Sequence, residues 1–445
     1  NFENFKRLEI VDKQKLKVVL SERLVQDLYL LTEYPILQQS VYDSLDLCAN
    51  FTFEQLYLHY DSVKTQELET WCTKMNGNYF STKIENIKGA GPYKLKIWEN
   101  DRLVFERKSD HWTQSLSQWL NHSHAQEIVF RLNNDYNSKV LELKNQLVDV
   151  SIDFSSKELA ELMTDTGITN YYNIHAEPAY STTLMALNLK PELTNRSPIF
   201  TNKKVREAFA NSLPVQDVID KHSNGNAVRI ASFVSINKAE YNSELSPYAY
   251  DIERAKALLK QAGWIDTDSD GVLDKLIDGK KVDLEVTIVF PPSPLVKTII
   301  TMLKEGIEKA GFRVVFENGQ NWRNILFNTM EFDAAFFAIT NSPGPNYAYS
   351  LVLTDAFRNG MNLSGYSNPK VDSIITLADQ TFNKAKRDKF ILELQKILYQ
   401  DIPYIYITTG KKAVVVKKGF ENVKTNGAHP MILLNTLKFK TNGAE

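Results

Sequence analysis

Residues 266–275 read DTDSDGVLDK and hold the densest group of potential cation ligands in the chain. Asp266, Asp268 and Asp270 alternate and Gly271 follows, the spacing of a calcium loop. In such a loop carboxylates converge on a hard cation and glycine permits the sharp turn. Position twelve would be Ile277 rather than a bidentate glutamate. Asp274 or Asp278 could complete the ligand set only in a different geometry, and a solvated acidic turn is the competing reading.

Catalytic chemistry finds little to work with. There is no HExxH, no GxSxG and no glycine-rich phosphate loop, and His122 and His124 form a close pair of a kind more often found in surface loops than at metals. No candidate nucleophile stands out, and nothing singles out two partners among 54 acidic residues for acid–base work. The expectation is a binding protein rather than an enzyme, with no cofactor required and a structural calcium as the one possible ion. Cys48 and Cys72 are too far apart for a CxxC motif, and both a free pair and a disulfide fit them.

Composition limits the partners. A formal charge of −2, with both signs mixed along the chain, leaves no electrostatic footprint for nucleic acid or anionic lipid. Runs such as AVVV from Ala413 and MILL from Met431 fall far short of the roughly 20 residues that span a bilayer. The chain opens on Asn1 with no basic-then-apolar leader, so its compartment has to be argued from elsewhere. A length of 445 residues implies two or three lobes.

The elements that must position any site follow from periodicity. Leu284, Val286, Ile288 and Phe290 alternate on one strand face, and Val296, Ile299, Ile300, Leu303 and Ile307 then recur at helical spacing until Gly311. FRVVFE from Phe312, a short helix in NWRNILFNTM and the apolar run DAAFFAIT from Asp333 complete a βαβαβ pattern. The last strand has the composition of one buried on both faces. Asn368 and Pro369 start a helix through Ala378, a second helix runs through Leu398, and YIYIT returns as a strand. This alternation predicts an α/β fold with a mostly parallel sheet, whose ligands bind beyond the carboxyl ends of its strands. The loop from Asn341 to Tyr349 leaves one such end. Upstream, YKLKIW, RLVFER and EIVFRL are alternating strands, followed by a helix near Val140–Leu147 and the strand DVSIDF. The apolar TTLMALNLK from Thr182 and the polar PELTNRSP after it suit a crossing between lobes, with a hinge near Ala186–Asn188.

Several phrases together resemble the peptide/nickel-type extracellular solute-binding family of ABC importers. They are GAGPYKLKIWEN from Gly89 with FERKSDHW, LNLKPELTNRSPIFTNKKVREAFANSLPVQDVI from Leu187, YDIERAKALLKQAGW from Tyr250, and SGYSNPKVDSII from Ser364 with DIPYIYI. Ser109, Asp110, His111 and Trp112 depart slightly from the family phrase. Arg206 reads as scaffold rather than ligand contact. The resemblance runs from about Ile87 to the end of the chain. The family's N-terminal aspartate-glycine strand-and-turn phrase is missing, and NFENFKRLEIVDKQKLKVVL resembles the middle of its extra domain.

The resemblance implies a two-lobed, hinged, periplasmic-binding-protein-like clamp. Residues 1–86 would be a remnant of the extra N-terminal domain, 87–186 with 421–445 a discontinuous and incomplete lobe I, and 187–420 lobe II. It places the ligand between the lobes, read by the strand DAAFFAIT and its loop, with Ile339, Asn341 and Ser342 as contacts. Tyr347, Tyr349, Tyr180 and Trp322 suit stacking and orientation, with core packing as their competing role. Peptide-binding relatives commonly hold an aspartate at this place for the peptide's amino terminus, where this chain offers Asn341 or Ser342. An uncharged group leaves a buried ammonium uncompensated at a cost of several kcal/mol. The implied function is capture of a small ligand, a peptide first, by hinge closure and delivery to the membrane permease of an ABC importer. The protein would act as a monomer, exported to the periplasm or anchored outside the membrane as a lipoprotein. The alternative is a clamp-fold signalling or scaffold protein that no longer delivers a solute.

Overall fold

The computed structural model of the protein describes residues 4–33, 36–57, 59–116, 123–345 and 349–440. Its contacts divide the chain into two units. The first is Asn1–Asp149 with Lys417–Lys424 and Ile432–Glu445, and the second is Val150–Val416 with Thr425–Met431. Among the described residues no helix is long and apolar enough to cross a membrane.

In the first unit, β1 (Phe5–Asp12) and β2 (Lys15–Leu20) form an antiparallel ribbon in which Leu8 faces Val18 and Ile10 faces Leu16. The three alternating phrases fold as an antiparallel meander of β3 (Tyr93–Trp98), β4 (Arg102–Arg107) and β5 (Glu127–Arg131). Helix Gln66–Asn76 starts at Thr65, whose hydroxyl accepts the Leu68 N–H at 3.2 Å, a side-chain N-cap. The Trp71 indole of that helix donates to the Tyr42 carbonyl at 2.6 Å. Cys48 and Cys72 are free thiols, and burial, helped by Asp43, pushes Cys48 up to about 11. A thiol held so high is a poor nucleophile at neutral pH.

The second unit is built on one sheet. Its strands are β6 (Val150–Phe154), β7 (Tyr172–Pro178), β8 (Ser181–Leu187) and β9 (Ala227–Arg229), then the hairpin β10 (Asp274–Ile277) and β11 (Lys280–Asp283). There follow β12 (Glu285–Val289), β13 (Arg313–Glu317), β14 (Ala334–Thr340) and β15 (Tyr404–Lys417). The hairpin pairs with itself, and the sheet order is β13-β12-β14-β8-β15-β6, with β7 and β9 also on β15. The expected βαβαβ unit is present and parallel: Glu285 to Val289 pair with Arg313 to Glu317, and Ile288 and Val289 with Ala334 and Ala335. Helix Pro294–Lys309 makes the first crossover and ends at Gly311, which sits at φ +102° with its N–H on the Glu308 carbonyl at 3.0 Å.

The expectation of a mostly parallel sheet needs correction. β8 runs antiparallel to both β14 and β15, and β6 and β9 run antiparallel to β15. Alternation of apolar residues specifies a strand and its two faces, but not the direction of a neighbour distant in sequence. The segment Ala186–Asn188 is likewise no open crossing. Ala186 pairs with Ala335 on one side and Tyr404 on the other, and the Asn188 amide donates to the Phe332 carbonyl at 2.8 Å and to Thr194 at 2.7 Å. Residues 150–186 therefore group with the second unit, whereas 87–186 had been expected as part of lobe I. The pairing of β6 with β15 and of β8 with β14 holds them there.

Strict alternation distributes this sheet between two cores. Met185, Leu187, Val286, Ile288, Phe336 and Ile405 face one cluster, completed by helices Lys203–Asn211, Ile252–Gln261 and Pro294–Lys309. Leu184, Ala186, Val289, Phe337, Tyr404 and Tyr406 face the other, covered by helices Pro369–Gln380 and Lys384–Asp401. Each large side chain buried in this way contributes about 1.5–3 kcal/mol. The helix start read at Asn368 is formed, Asn368 accepting the Lys370 N–H at 3.0 Å, and Asp251 likewise caps helix Ile252–Gln261 by accepting the Arg254 N–H at 2.9 Å.

Two arginines, Arg196 partly buried and Arg206 buried, tie the layers together. Asp333 accepts Arg196 Nε at 3.2 Å, Arg196 Nη2, and the Thr287 N–H at 2.8 Å, joining the turn after β8 to β12 and β14. Arg206 donates to the carbonyls of Asp401 at 2.9 Å and Phe200 at 2.7 Å, closing the C-terminal end of helix Lys384–Asp401. Positive charge is favoured there by the unsatisfied helix carbonyls. The tail returns to the first unit as β16 (Phe420–Glu421) paired with β17 (Lys438–Phe439).

Candidate functional site

The ladder between β8 and β14 sets the geometry at one rim of the second unit. Ile339 pairs with Thr182 and Thr340 with Ser181, so the end of β14 lies against the start of β8. Just past the ladder, the Asn341 N–H donates to the Tyr180 carbonyl at 2.6 Å. The Asn341 amide donates to Thr182 Oγ1 at 3.0 Å, and this asparagine is only 5% exposed. Asn341 thus serves partly as the lock that ends the strand pair. Ser342 turns the chain, its hydroxyl accepting the Gly344 N–H at 3.1 Å.

The ladder thereby brings together Ile339, Asn341, Ser342 and Tyr180. Ile339, Trp322 and Tyr349 pack on the second core cluster, and the Arg323 guanidinium lies 4.8 Å from the Trp322 ring centroid. Tyr347 lies outside the described residues, as does His122. His124 bonds through its N–H to the Asn435 carbonyl at 3.2 Å in the first unit. Beneath the rim, Tyr406 buries a hydroxyl with no hydrogen-bond partner among the described residues, its ring centroid 6.4 Å from that of Phe233. Burial raises its ionisation well above the ordinary phenol.

The side chain that sequence reasoning missed is Lys238. It lies in the turn-rich segment after β9 and is 9% exposed, and its ammonium donates to the Gly344 carbonyl at 2.5 Å. Burial pulls it down to about 8, with Glu240 acting in the opposite sense. Burial and the Glu240 charge raise Tyr180. Glu240 also faces Lys384 at 3.5 Å. In the sequence SINKAEY an isolated lysine among turn residues has the pattern of an exposed one. Only the approach of two distant loops buries it.

The acidic loop behaves differently from the rim. Single carboxylate oxygens of Asp266, Asp268 and Asp274 lie within 4.8 Å of one another. Asp270 points aside, accepting the Val272 N–H at 2.8 Å with Arg313 Nη1 4.0 Å away. Ser269 at φ +64° and Gly271 at φ +86° make the sharp turn. Asp274 is buried and accepts both the N–H and the hydroxyl of Thr267, which hold its carboxyl below the usual range. The Lys281 ammonium bonds Asp268 and lies 3.5 Å from Asp274 and 3.9 Å from Asp283. It supplies the positive charge that a bound cation would otherwise provide.

Comparison with known proteins supplies context for this geometry. A family model described as "Bacterial extracellular solute-binding proteins, family 5 Middle" matches residues 2–360. The chain is 21% identical over 351 residues to the oligopeptide-binding protein AppA of Bacillus subtilis, covering 76% of this chain and 59% of AppA. It is 21% identical over 338 residues to the nickel-binding protein NikA of Staphylococcus aureus, covering 76% of this chain and 62% of NikA. The chain thus spans about three-fifths of the length of these curated relatives. The solved structure of B. subtilis AppA in complex with a nonapeptide superposes with a TM-score of 0.67 at 18% identity, covering 99% of this chain and 79% of that one. That likeness shows the two-lobed binding-protein fold.

Proposed function

Since this chain belongs to the family 5 bacterial extracellular solute-binding proteins, we propose that it captures a small solute outside the membrane for an ABC importer. The match of the family model over residues 2–360 carries this reading. A peptide is the first ligand class, supported by the oligopeptide-binding relative, and a metal chelate the second, supported by the nickel-binding one. The rim formed by Tyr180, Ile339, Asn341 and Ser342, with Tyr347, Tyr349 and Trp322 beside it in sequence or on the same core, is the proposed ligand-reading surface. It combines apolar area with a few fixed polar groups, the composition that small-molecule sites use. The role is binding rather than catalysis, export and lipoprotein anchoring belong to the same proposal, and the partner is a membrane permease.

A divalent cation in the acidic loop is a separate proposal. Asp266, Asp268 and Asp274 would hold it, supported by their convergence and by the hard oxygen donors that calcium prefers. Binding would require Lys281 to swing away. The ion would then fix the β10–β11 hairpin without entering the ligand chemistry.

Two measurements test the solute reading. Ligand released by denaturing the purified protein is identified by mass spectrometry, and unfolding midpoints are recorded across peptides, sugars and metal chelates. A co-purified peptide or chelate, or a midpoint raised in proportion to ligand, is expected. A repeatedly empty protein with no shift would instead favour a clamp-fold scaffold or signalling role.

A further inference from the structure

In the first unit, contacts between helix Gln66–Asn76 and the turn around Asp43 converge on two cysteines. The Trp71 indole donates to the Tyr42 carbonyl at 2.6 Å, which holds the residue before Cys72 against the residue before Asp43. Asp43 in turn accepts the Leu47 N–H and the Cys48 N–H, each at 2.9 Å. Two hydrogen-bonded steps thus lead from the neighbour of Cys72 to the backbone of Cys48. The Gln39 side chain bonds Asp46, and the Asp43 N–H reaches the Gln39 carbonyl at 2.8 Å, so residues 39–48 fold back on themselves. Cys72 is fixed as well, its sulfur accepting the Tyr60 hydroxyl at 3.6 Å.

Both thiols are reduced and half-buried, so a small reagent can reach them. Burial and Asp43 raise the Cys48 thiol, and Cys72 is near enough to add to the effect. They are the only two cysteines in the chain, and a bond between them leaves no odd thiol. A thiol with raised ionisation is also a poor leaving group, so a disulfide made from Cys48 resists reduction.

We infer that Cys48 and Cys72 are the two halves of a disulfide that staples the turn at 42–48 to helix Gln66–Asn76, closed by exchange with a small disulfide such as oxidised glutathione. One cysteine loses its proton and attacks a sulfur of the oxidant, whose S–S bond breaks. One glutathione leaves and takes up a proton, and a mixed disulfide remains. The other cysteine, once deprotonated, attacks the cysteine sulfur of that mixed disulfide and expels the second glutathione. Two cysteine thiols are oxidised and one oxidised glutathione becomes two thiols, so no other oxidant is needed. The export reading above supplies an oxidising environment, and the inference leans on it only there. The bond would span 24 positions and remove freedom from the unfolded chain, which stabilises the first unit.

The test uses the purified full chain, reduced and then equilibrated with a glutathione redox buffer at pH 8.5, once folded and once unfolded in urea. Remaining thiols are alkylated, and a non-reducing digest is read by mass spectrometry. The folded protein should yield a peptide joining Cys48 to Cys72. Its ratio of internal bond to mixed disulfide should exceed that of the urea-unfolded chain about tenfold or more, since the fold raises the effective concentration of one sulfur at the other. The crosslink should also lower the unfolding equilibrium constant about thirtyfold or more. A smaller ratio overturns the inference, because the fold then holds the sulfurs apart. Both cysteines recovered alkylated, or both carrying glutathione, overturn it as well, and so does an unfolding equilibrium unchanged by the crosslink. None of these results depends on where the protein resides or what it binds, so each leaves the solute-binding reading intact.

Discussion

Replacing Arg196 by methionine removes the cationic partner of a carboxylate that is almost completely dry. The Asp333 side chain is 2% exposed and the Arg196 side chain 25%. Without the arginine, Asp333 keeps only the Thr287 N–H among its three donors. Breaking a buried pair from one side costs about 3–5 kcal/mol. Because Arg196 is a quarter exposed and already partly hydrated, we expect the lower end, about 3 kcal/mol, at pH 8. The pH dependence is the sharper part. Burial already raises the Asp333 ionisation above the free carboxylate, with Arg196 opposing it. Removing Arg196 raises it further, so the folded variant binds a proton more readily than its unfolded chain. Stability is then lost above the raised ionisation and recovered as pH falls through it. Urea unfolding followed by tryptophan fluorescence at pH 8 and pH 5 should show the deficit shrinking to about 1 kcal/mol at the lower pH, the scale of the lost hydrogen bonds. Adding Asp333→Asn to Arg196→Met should regain at least about 1 kcal/mol at pH 8, since the amide still accepts from Thr287 without a charge. A deficit below about 1 kcal/mol at pH 8, or one equal at both pH values, would refute the reasoning.

Gly306→Ala places a Cβ 2.3 Å from the Ser212 carbonyl and 2.7 Å from Pro214, so helix Pro294–Lys309 must shift. A loss of roughly 1–3 kcal/mol in urea unfolding is expected, and an unchanged midpoint would show that the helix sits farther out. Calcium added to chelator-treated protein should raise the unfolding midpoint, by about 2.7 kcal/mol of stability at a hundredfold excess over Kd. Lys281→Met should respond at lower calcium, and the double variant Asp266→Asn, Asp268→Asn not at all. No response in either the unaltered protein or Lys281→Met removes the ion. Because Lys238 falls from 10.5 to about 8 on folding, the unfolded chain holds its proton longer. Stability from this group therefore rises with pH between about 8 and 10.5, by about 3 kcal/mol at most. Urea unfolding of the unaltered protein and Lys238→Met across that range should differ by this slope, and parallel profiles would count against burial of the ammonium.

Period and punctuation made much of the second unit legible. Leu284, Val286, Ile288 and Phe290 became a buried strand face, Gly311 a helix stop and Asn368 a cap, because each follows from contacts within a few residues. The four sequence phrases carried the family resemblance, and the family model spans residues 2–360. The residues near Asn341 were locatable as the exit of a strand, since an apolar run followed by polar and proline-containing sequence marks one. The acidic loop was visible as a spacing, although the structure converges Asp274 rather than Asp270 with Asp266 and Asp268. Side-chain direction after a left-handed residue is not encoded in alternation.

What lay beyond the sequence was decided between residues far apart in the chain. β8 runs antiparallel to β14 across 147 to 159 positions, from the Leu187–Ala334 pair to the Ser181–Thr340 pair, and this made the sheet mixed. The same pairing fixed Ala186 inside a ladder where polar sequence downstream had suggested a hinge. Asn341 became a lock on Thr182, and Lys238 came to face Gly344 across 106 residues. The sequence by itself determined which segments are strands and helices and which family they belong to, because those properties reside in local periodicity and short phrases. Only the tertiary structure decided which polar groups are dry and which charges must share a partner. Burial and ionisation depend on what distant segments bring alongside, and no spacing along the chain records that.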